Sequence, residues 1–196
     1  MPIFHAIVLG ITQGLTEFLP VSSSGHLELI PWLFQWSHFE GDNRMENTFD
    51  VALHLGTLGG LVVCLWGDVQ RHARAGLGAL VGRQPWNTDA KIGWLLLLSS
   101  APAAIAAILL ESFLLKQSGR IGIIAIGLAV FGLLLWLVDS QARSWRSFRD
   151  FSGRDALKIG IAQSLALLPG VSRSGITITV ARMTGYDRPH AARLAF

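Results

Sequence analysis

Three long apolar runs constrain this chain more than any other feature of its sequence. They cover residues 49–66, 92–110 and 121–138, and each is close to the roughly 20 apolar residues that a helix needs to cross a bilayer. None of them shows the alternation of polar and apolar residues that is typical of a half-buried strand. We therefore predict three transmembrane helices.

Composition excludes the main alternatives to a membrane protein. Hydrophobic types make up 51% of the 196 residues and charged types 15%, whereas soluble domains carry roughly 25% charged residues. The apolar content also excludes extended disorder, and the single cysteine, Cys64, excludes a disulfide scaffold. The predicted fold class is an all-α integral membrane protein.

Two further apolar segments, residues 1–36 and 157–181, are each interrupted by a polar centre that contains proline, glycine and serine. Non-helical backbone at membrane depth occurs only where it is buried in protein or lines a wet cavity. We therefore predict two re-entrant helix–loop–helix hairpins. The whole chain, 1–196, is then a single membrane domain, with the three spans in 49–138 and the beginning of a further transmembrane helix in 187–196.

The charged connections predict the orientation of these segments. Residues 67–91 and 139–158 are rich in arginine, and such connections stay on the cytoplasmic side of a membrane. Residues 37–48 then lie outside. Three spans separate the two hairpins, so the hairpins enter from opposite faces of the membrane.

The two hairpins also share a sequence repeat. When residues 10–25 are placed over residues 160–175 without a gap, 8 of 16 positions are identical, including one glutamine and two serines. With the opposite orientation of the hairpins, this predicts an inverted repeat. In such folds the binding site lies where the broken helices face each other.

The polar centre of the first hairpin carries groups that suit catalysis. Gln13 and Glu17 are four residues apart and share a helix face, and Ser23 and His26 follow shortly after. A carboxylate at membrane depth is costly and is retained for a partner or a task. We interpret Glu17 as a general base or metal ligand beside a nucleophile and a proton carrier. The alternative is an ion pair between Glu17 and Arg173 that only holds the hairpins together.

The polar centre of the second hairpin, residues 169–175, is suited to binding phosphate. The backbone around Gly170 can turn its N–H groups toward an anion, Ser172 and Ser174 add hydroxyl donors, and Arg173 offers a planar fork for phosphate oxygens. The alternative is a helix break whose arginine reaches for the membrane surface. Together the two centres favour phosphoryl or diphosphate hydrolysis on an amphiphilic substrate.

Three segments carry a resemblance to a known family: QGLTEFLPVSSSGH at 13–26, PGVSRSG at 169–175 and TFDVALHLGTL at 48–58. At these residues the chain resembles the undecaprenyl-diphosphate phosphatases, the bacitracin-resistance family of bacterial inner membranes. The resemblance implies hydrolysis of undecaprenyl diphosphate to undecaprenyl phosphate and inorganic phosphate. That reaction recycles the lipid carrier for peptidoglycan and other envelope polymers, at a site that opens to the periplasm.

The resemblance also implies functional residues and a cofactor. A divalent cation, Mg²⁺ or Ca²⁺, is expected, with Glu17 as its protein ligand because Gln13 is uncharged. Family members continue through further spans, which would follow Phe196. The functional positions of the family fall on Gln13, Glu17, Ser23, His26 and Arg173, with Ser172, Ser174 and Thr177 nearby.

Several alternatives remain open at this point. A lipid or small-anion transporter would use the same inverted repeat; an intramembrane serine protease would leave Arg173 without a role and lacks a GxSxG motif. The nucleophile is Ser23, His26 or water. For Asp50 and His54, four apart on the first span, a hydrogen bond to a neighbouring helix is favoured over a place in the site. The expected partners are the membrane and a polyprenyl diphosphate, with no nucleic acid, and a homo-oligomer is left open.

Overall fold

The computed structural model describes residues 1–36, 43–117 and 119–196, and over these ranges the chain is almost entirely helical. Two short 3₁₀ helices, Phe148–Asp150 and Ser164–Leu167, also lie within these ranges. The predicted all-α class is confirmed. The α-helices, in chain order, are α1 (Ile3–Phe18), α2 (Ser23–Leu33), α3 (Asn43–Cys64), α4 (Trp66–Leu80), α5 (Thr88–Gln117), α6 (Ile121–Gln141), α7 (Gly153–Gln163), α8 (Arg173–Met183) and α9 (Arg188–Ala195).

The three predicted spans are present as α3, α5 and α6. In the described part of the chain, the stretches long and apolar enough to cross a membrane are Met45–Cys64, Thr88–Leu114 and Ile121–Gln141. α5 extends beyond its apolar run at both ends and α6 at its C-terminal end, because backbone hydrogen bonding continues into the polar residues there. α3 begins six residues before its run and ends at Cys64, two residues short of the predicted end.

The connection after the first span contains a helix that the apolar runs did not predict. Within residues 67–91, most of the chain belongs to the amphipathic helix α4, which packs on the beginning of α5 through Ala75, Ala79 and Ala90. Such a helix is too short and too polar to cross a bilayer, so the search for apolar runs passed over it.

The two predicted hairpins are helix–break–helix units, α1–α2 and α7–α8. Leu19 and Leu168 each precede a proline and are extended, with ψ of 144° and 138°, as expected for residues in that position. Ser22 and Ser172 then cap α2 and α8, and the hydroxyl of each accepts a hydrogen bond from the backbone N–H three residues later. The sequence repeat is therefore also a structural repeat, while entry of the units into the membrane stays a prediction.

Two glycines bring the second unit against the spans. A Cβ atom on Gly160 would lie 2.5 Å from the carbonyl oxygen of Ser99 in α5. At Gly170, whose φ is +84°, a Cβ atom would lie 2.3 Å from the carbonyl oxygen of Ile124 in α6. The backbone of the second unit therefore packs directly against the backbones of α5 and α6.

A buried ionic network joins the beginning of α7 to the end of α8, on the side away from the helix break. Asp155, which is 3% exposed, accepts hydrogen bonds from Arg146 at 2.9 and 2.5 Å and from the Tyr186 hydroxyl at 3.1 Å. Burial raises the pKa of Asp155, but the hydrogen bonds from Arg146, Ser152 and Tyr186 outweigh it and hold the pKa well below its ordinary value.

Candidate active site

A polar cavity of about 200 Å³ lies between the breaks of the two helix–break–helix units. Both units contribute to its walls, and α3 contributes one residue. The lining residues are Thr16, Glu17, Ser22, Ser23, Ser24, His54, Ala166, Val171, Ser172, Arg173 and Ser174.

Glu17 and Arg173 meet in this cavity, although they lie 156 positions apart in the sequence. Arg173 Nη2 donates to Glu17 Oε1 at 3.3 Å. The Arg173 side chain is 60% exposed, and exposed ion pairs contribute only about 0–1 kcal/mol to stability. An ion pair that only held the two units together would therefore add little to stability. This favours a functional role for Glu17 and Arg173.

The second oxygen of Glu17 faces the first unit. Glu17 Oε2 accepts a hydrogen bond from the Ser23 hydroxyl at 2.6 Å, which is the arrangement of a base and a nucleophile. Ser22, immediately before, has a φ of 63°, and such backbone costs about 1–3 kcal/mol and is concentrated at functional sites. The strained break places Ser23 at the first position of α2, beside Glu17.

Gln13 and His26 lie next to the cavity rather than on its walls. Gln13 is fully buried, and its side-chain N–H donates to Glu17 Oε2 at 3.0 Å, while its Oε1 has no hydrogen-bond partner among the described residues. The ring nitrogen Nδ1 of His26 is 2.8 Å from the carbonyl oxygen of Ser22. Their predicted roles in phosphate binding and proton transfer stay predictions.

Gly170 and Thr177 also lie outside the cavity. Gly170 lines a neighbouring cavity with Glu28 and Glu111, and its close contact with α6 explains why a glycine is needed there. Thr177 is 1% exposed, and its hydroxyl accepts a hydrogen bond from Gln163 at 3.2 Å. Their structural roles are visible, while phosphate binding by either residue stays a prediction.

The structure adds one residue that the sequence reasoning set aside. His54 of α3 lines the cavity, and its Nε2 is 3.8 Å from Glu17 Oε2. Its Nδ1 is 2.8 Å from the backbone carbonyl oxygen of Asp50 in the same helix. The sequence signal was present, since His54 lies in the segment 48–58 that resembles the family, but its spacing to Asp50 alone did not show which helix face meets the site.

Two helices begin at the cavity: α2 at Ser23 and α8 at Arg173. The first turn of a helix has unpaired backbone N–H groups and the positive end of the helix dipole. With the guanidinium of Arg173, these two helix ends make the cavity suited to a strongly negative group such as a diphosphate.

Comparison with known proteins agrees with this chemistry. Residues 6–196 match the bacitracin resistance protein BacA family. The chain belongs to this family. An undecaprenyl-diphosphatase of Thermomicrobium roseum is 43% identical over 204 aligned residues, covering 100% of this chain and 71% of the relative. Undecaprenyl-diphosphatases of Moorella thermoacetica and Saccharophagus degradans are 44% and 39% identical, again over 100% of this chain and 71% of their own lengths.

The cavity of this BacA protein combines three separate parts of the chain. The segments 13–26 and 169–175 supply the carboxylate, the hydroxyl and the guanidinium, and α3 supplies the imidazole. The cavity of this protein is therefore assembled by tertiary contacts between the helix–break–helix units and the first span.

Proposed function

We propose that this protein hydrolyses undecaprenyl diphosphate to undecaprenyl phosphate and inorganic phosphate. One observation carries the proposal: the Glu17–Ser23 pair faces Arg173 across a single cavity, between the first turns of two helices. Membership of the BacA family and relatives named undecaprenyl-diphosphatase support the same substrate. The product is the lipid carrier used for peptidoglycan and other envelope polymers, and its recycling accounts for resistance to bacitracin.

Binding of the substrate follows from charge. The diphosphate would be held by Arg173, by the hydroxyls of Ser172 and Ser174, and by the first backbone N–H groups of α8. The ion pair with Glu17 leaves most of the Arg173 side chain exposed, so the guanidinium can turn to phosphate oxygens. The polyprenyl tail would lie in the bilayer beside the apolar helices.

Phosphoryl transfer begins at Ser23. Glu17 accepts the Ser23 proton, and Ser23 Oγ forms a bond to the terminal phosphorus while the bridging P–O bond breaks. The electron pair of that bond stays on undecaprenyl phosphate, which takes the proton from Glu17 and leaves, so that Glu17 is a carboxylate again. Water then cleaves the phosphoserine. Positioning and charge stabilisation carry most of the catalysis, as is usual for phosphoryl transfer.

A divalent cation, Mg²⁺ or Ca²⁺, is part of the proposal. The described residues contain no cluster of three or more His, Cys, Asp or Glu side chains arranged for a metal. In the described part of the chain, Glu17 is the one carboxylate on the cavity wall, and Oε1 of the neighbouring Gln13, which has no hydrogen-bond partner there, is a further oxygen donor. These two oxygen-donating side chains suit a divalent cation that takes most of its ligands from substrate phosphates. When bound, it would neutralise charge on the diphosphate oxygens.

We propose that the protein lies in the bacterial inner membrane with the catalytic cavity opening to the periplasm. The basis is the arginine-rich character of residues 67–91 and 139–158. In a Cys64→Ser background, Met45→Cys should react with an impermeant maleimide in intact spheroplasts, and Arg154→Cys only after the membrane is opened. The reverse pattern would contradict the orientation.

The activity itself is tested with purified protein reconstituted in liposomes that carry undecaprenyl diphosphate. Phosphate release that chelation abolishes and added Mg²⁺ or Ca²⁺ restores is the expected result. The inverted repeat also suits a transporter, and movement of the lipid between leaflets without phosphate release would favour that alternative and contradict hydrolysis.

The nucleophile is tested by trapping. Acid quenching during turnover of substrate labelled at the terminal phosphate should leave label on the peptide that contains Ser23. Label on a peptide containing His26 but not Ser23, after cleavage between them, would identify the imidazole instead. The absence of any labelled peptide at saturating substrate would favour direct attack by water.

A further inference from the structure

His54 stands out as the imidazole on the wall of the catalytic cavity. It belongs to α3, outside the two repeated units, and its side chain is 42% exposed and lines that cavity. His26, the histidine within the first family motif, does not line the cavity. His54 is therefore placed to take part in the chemistry of the site. The role inferred for it below rests on the hydrolysis proposed above.

The contacts of His54 determine which nitrogen carries the proton. The Asp50 carbonyl oxygen, 2.8 Å from Nδ1, is an acceptor only, so Nδ1 must hold the hydrogen and donate it. In the neutral ring the other nitrogen, Nε2, is then an acceptor.

Nε2 and Glu17 Oε2 are thus two acceptors that lie 3.8 Å apart at the same cavity. Two acceptors cannot hydrogen-bond to each other, but a molecule with two hydrogens can donate one to each of them. Water is the molecule of that size that the reaction requires. We propose that His54 and Glu17 together hold and orient the water that attacks phosphorus.

The hydrogen bonds of Glu17 suit the second half of the reaction, in which water hydrolyses the phosphoserine. In the resting state the Ser23 hydroxyl donates to Glu17 Oε2 at 2.6 Å. Once Ser23 carries the phosphoryl group, that hydroxyl hydrogen is gone, and Oε2, which still accepts from Gln13, can accept a hydrogen bond from water in its place. The water oxygen then forms a bond to phosphorus, and the P–Oγ bond breaks with its electron pair on Oγ.

The protons balance without a charge change on His54. One water proton passes to Glu17 and from there to Ser23 Oγ, which restores the hydroxyl. The other stays on the new phosphate, where His54 Nε2 continues to accept its hydrogen bond. His54 acts as a hydrogen-bond acceptor throughout and is not the base.

Because His54 acts as a hydrogen-bond acceptor, two substitutions of this residue should affect activity differently. His54→Leu removes the acceptor, so kcat should fall about 100-fold, as for a misplaced reactant, while KM stays within about twofold because Arg173 still binds the diphosphate. His54→Gln offers an amide oxygen close to the position of Nε2 and should recover activity to within about tenfold of the parent, the size of one neutral hydrogen bond. His190→Gln, at the other end of the molecule, is the matched control.

The kinetic result can contradict the proposal in two ways. Full activity of His54→Leu would show that the imidazole is not needed. An equal loss in His54→Leu and His54→Gln, with both eluting as the parent does in size-exclusion chromatography, would show that an acceptor at this position is not the requirement.

A second measurement does not depend on turnover. In the full chain labelled with ¹⁵N-histidine in detergent, the His54 resonances, identified by their loss in His54→Gln, should show a protonated Nδ1 and an unprotonated Nε2 at neutral pH. A protonated Nε2 would overturn the proposal. If the parent protein releases no phosphate while this tautomer is observed, the proposed function fails, and the assignment of His54 as an acceptor stands.

Discussion

Glu17 connects every part of the site at the scale of single residues. Its two oxygens contact Arg173 at 3.3 Å and Ser23 at 2.6 Å, and His54 lies 3.8 Å away. These three partners come from α8, α2 and α3, so one carboxylate of α1 joins four helices. Substitutions at Glu17 and Arg173 test the site most directly.

Glu17→Gln keeps the size of the side chain and removes its charge. Because an amide cannot take the Ser23 proton, phosphate release should fall by about 100-fold or more, within the range of general base catalysis. Glu111→Gln, in the neighbouring cavity, should stay within about twofold of the parent. A Glu17→Gln protein as active as this control would remove the carboxylate from the mechanism.

Arg173→Lys keeps the positive charge and loses the planar fork. Since a lysine cannot donate two parallel hydrogen bonds to phosphate oxygens, KM for undecaprenyl diphosphate should rise by about tenfold or more, the value of a charged hydrogen bond. Arg143→Lys, an exposed control, should leave KM unchanged. Equal KM values for both variants would mean that charge alone binds the substrate.

At the scale of elements, the two helix breaks decide the geometry of the cavity. Each break follows the same order: an extended leucine, a proline, and a serine that caps the next helix. The order recurs because proline ends one helix and the serine side chain satisfies a first-turn N–H of the next. The breaks therefore place Ser23 and Arg173 at equivalent positions, each at the beginning of a helix.

Gly170→Ala tests whether the second helix break packs closely against α6. The new Cβ would lie 2.3 Å from the Ile124 carbonyl oxygen, at a φ of +84°, so the free energy of unfolding should fall by about 2 kcal/mol or more. Gly122→Ala, in open space on α6, should have no such effect. Thermal melting in detergent measures both, and equal melting temperatures would contradict the close approach to α6.

At the scale of the whole molecule, the apolar helices and the ionic network lie in different environments and stabilise the protein in different ways. The spans α3, α5 and α6 leave most of their side chains outside the protein interior, as expected for helices that contact lipid. A cluster of buried residues that includes Ile92, Phe151 and Tyr186 forms a core where α7 packs on α5 and α8. That cluster surrounds Asp155 and its partners at the ends of α7 and α8.

Asp155→Asn should lower the free energy of unfolding by about 3 kcal/mol, because it leaves the Arg146 guanidinium without its buried partner. Asp89→Asn, which breaks a half-exposed pair with Arg71, should cost no more than about 1 kcal/mol. Thermal melting of both variants beside the parent measures the difference. Similar melting temperatures would show that the buried network is not a main source of stability.

The same network predicts a pH dependence. The pKa of Asp155 is lower in the folded protein than its ordinary value, so its contribution is full above the unfolded value of about 4. It is lost as pH falls toward the folded value. The melting temperatures of the parent and Asp155→Asn should therefore converge below about pH 4 and keep a constant difference between pH 6 and 8. A difference that grows with acidity would contradict this assignment.

The sequence by itself determined the fold class, the three spans and the repeated units. These follow from local properties: the length of an apolar run predicts a membrane-spanning helix, and proline, glycine and serine mark a break wherever they occur together. The meeting of Glu17 and Arg173 was expected as well, because the predicted inverted repeat places the two breaks face to face. The amphipathic helix α4 was missed because its signal is periodicity rather than length.

Only the tertiary structure decided which side chains share the cavity. His54 enters it and His26 lies beside it, although both bond through Nδ1 to a carbonyl four residues earlier. The two histidines look alike in their own helices, and the difference comes from how α1, α2 and α3 are rotated against one another. That rotation depends on packing between residues far apart in the chain, which no local pattern records.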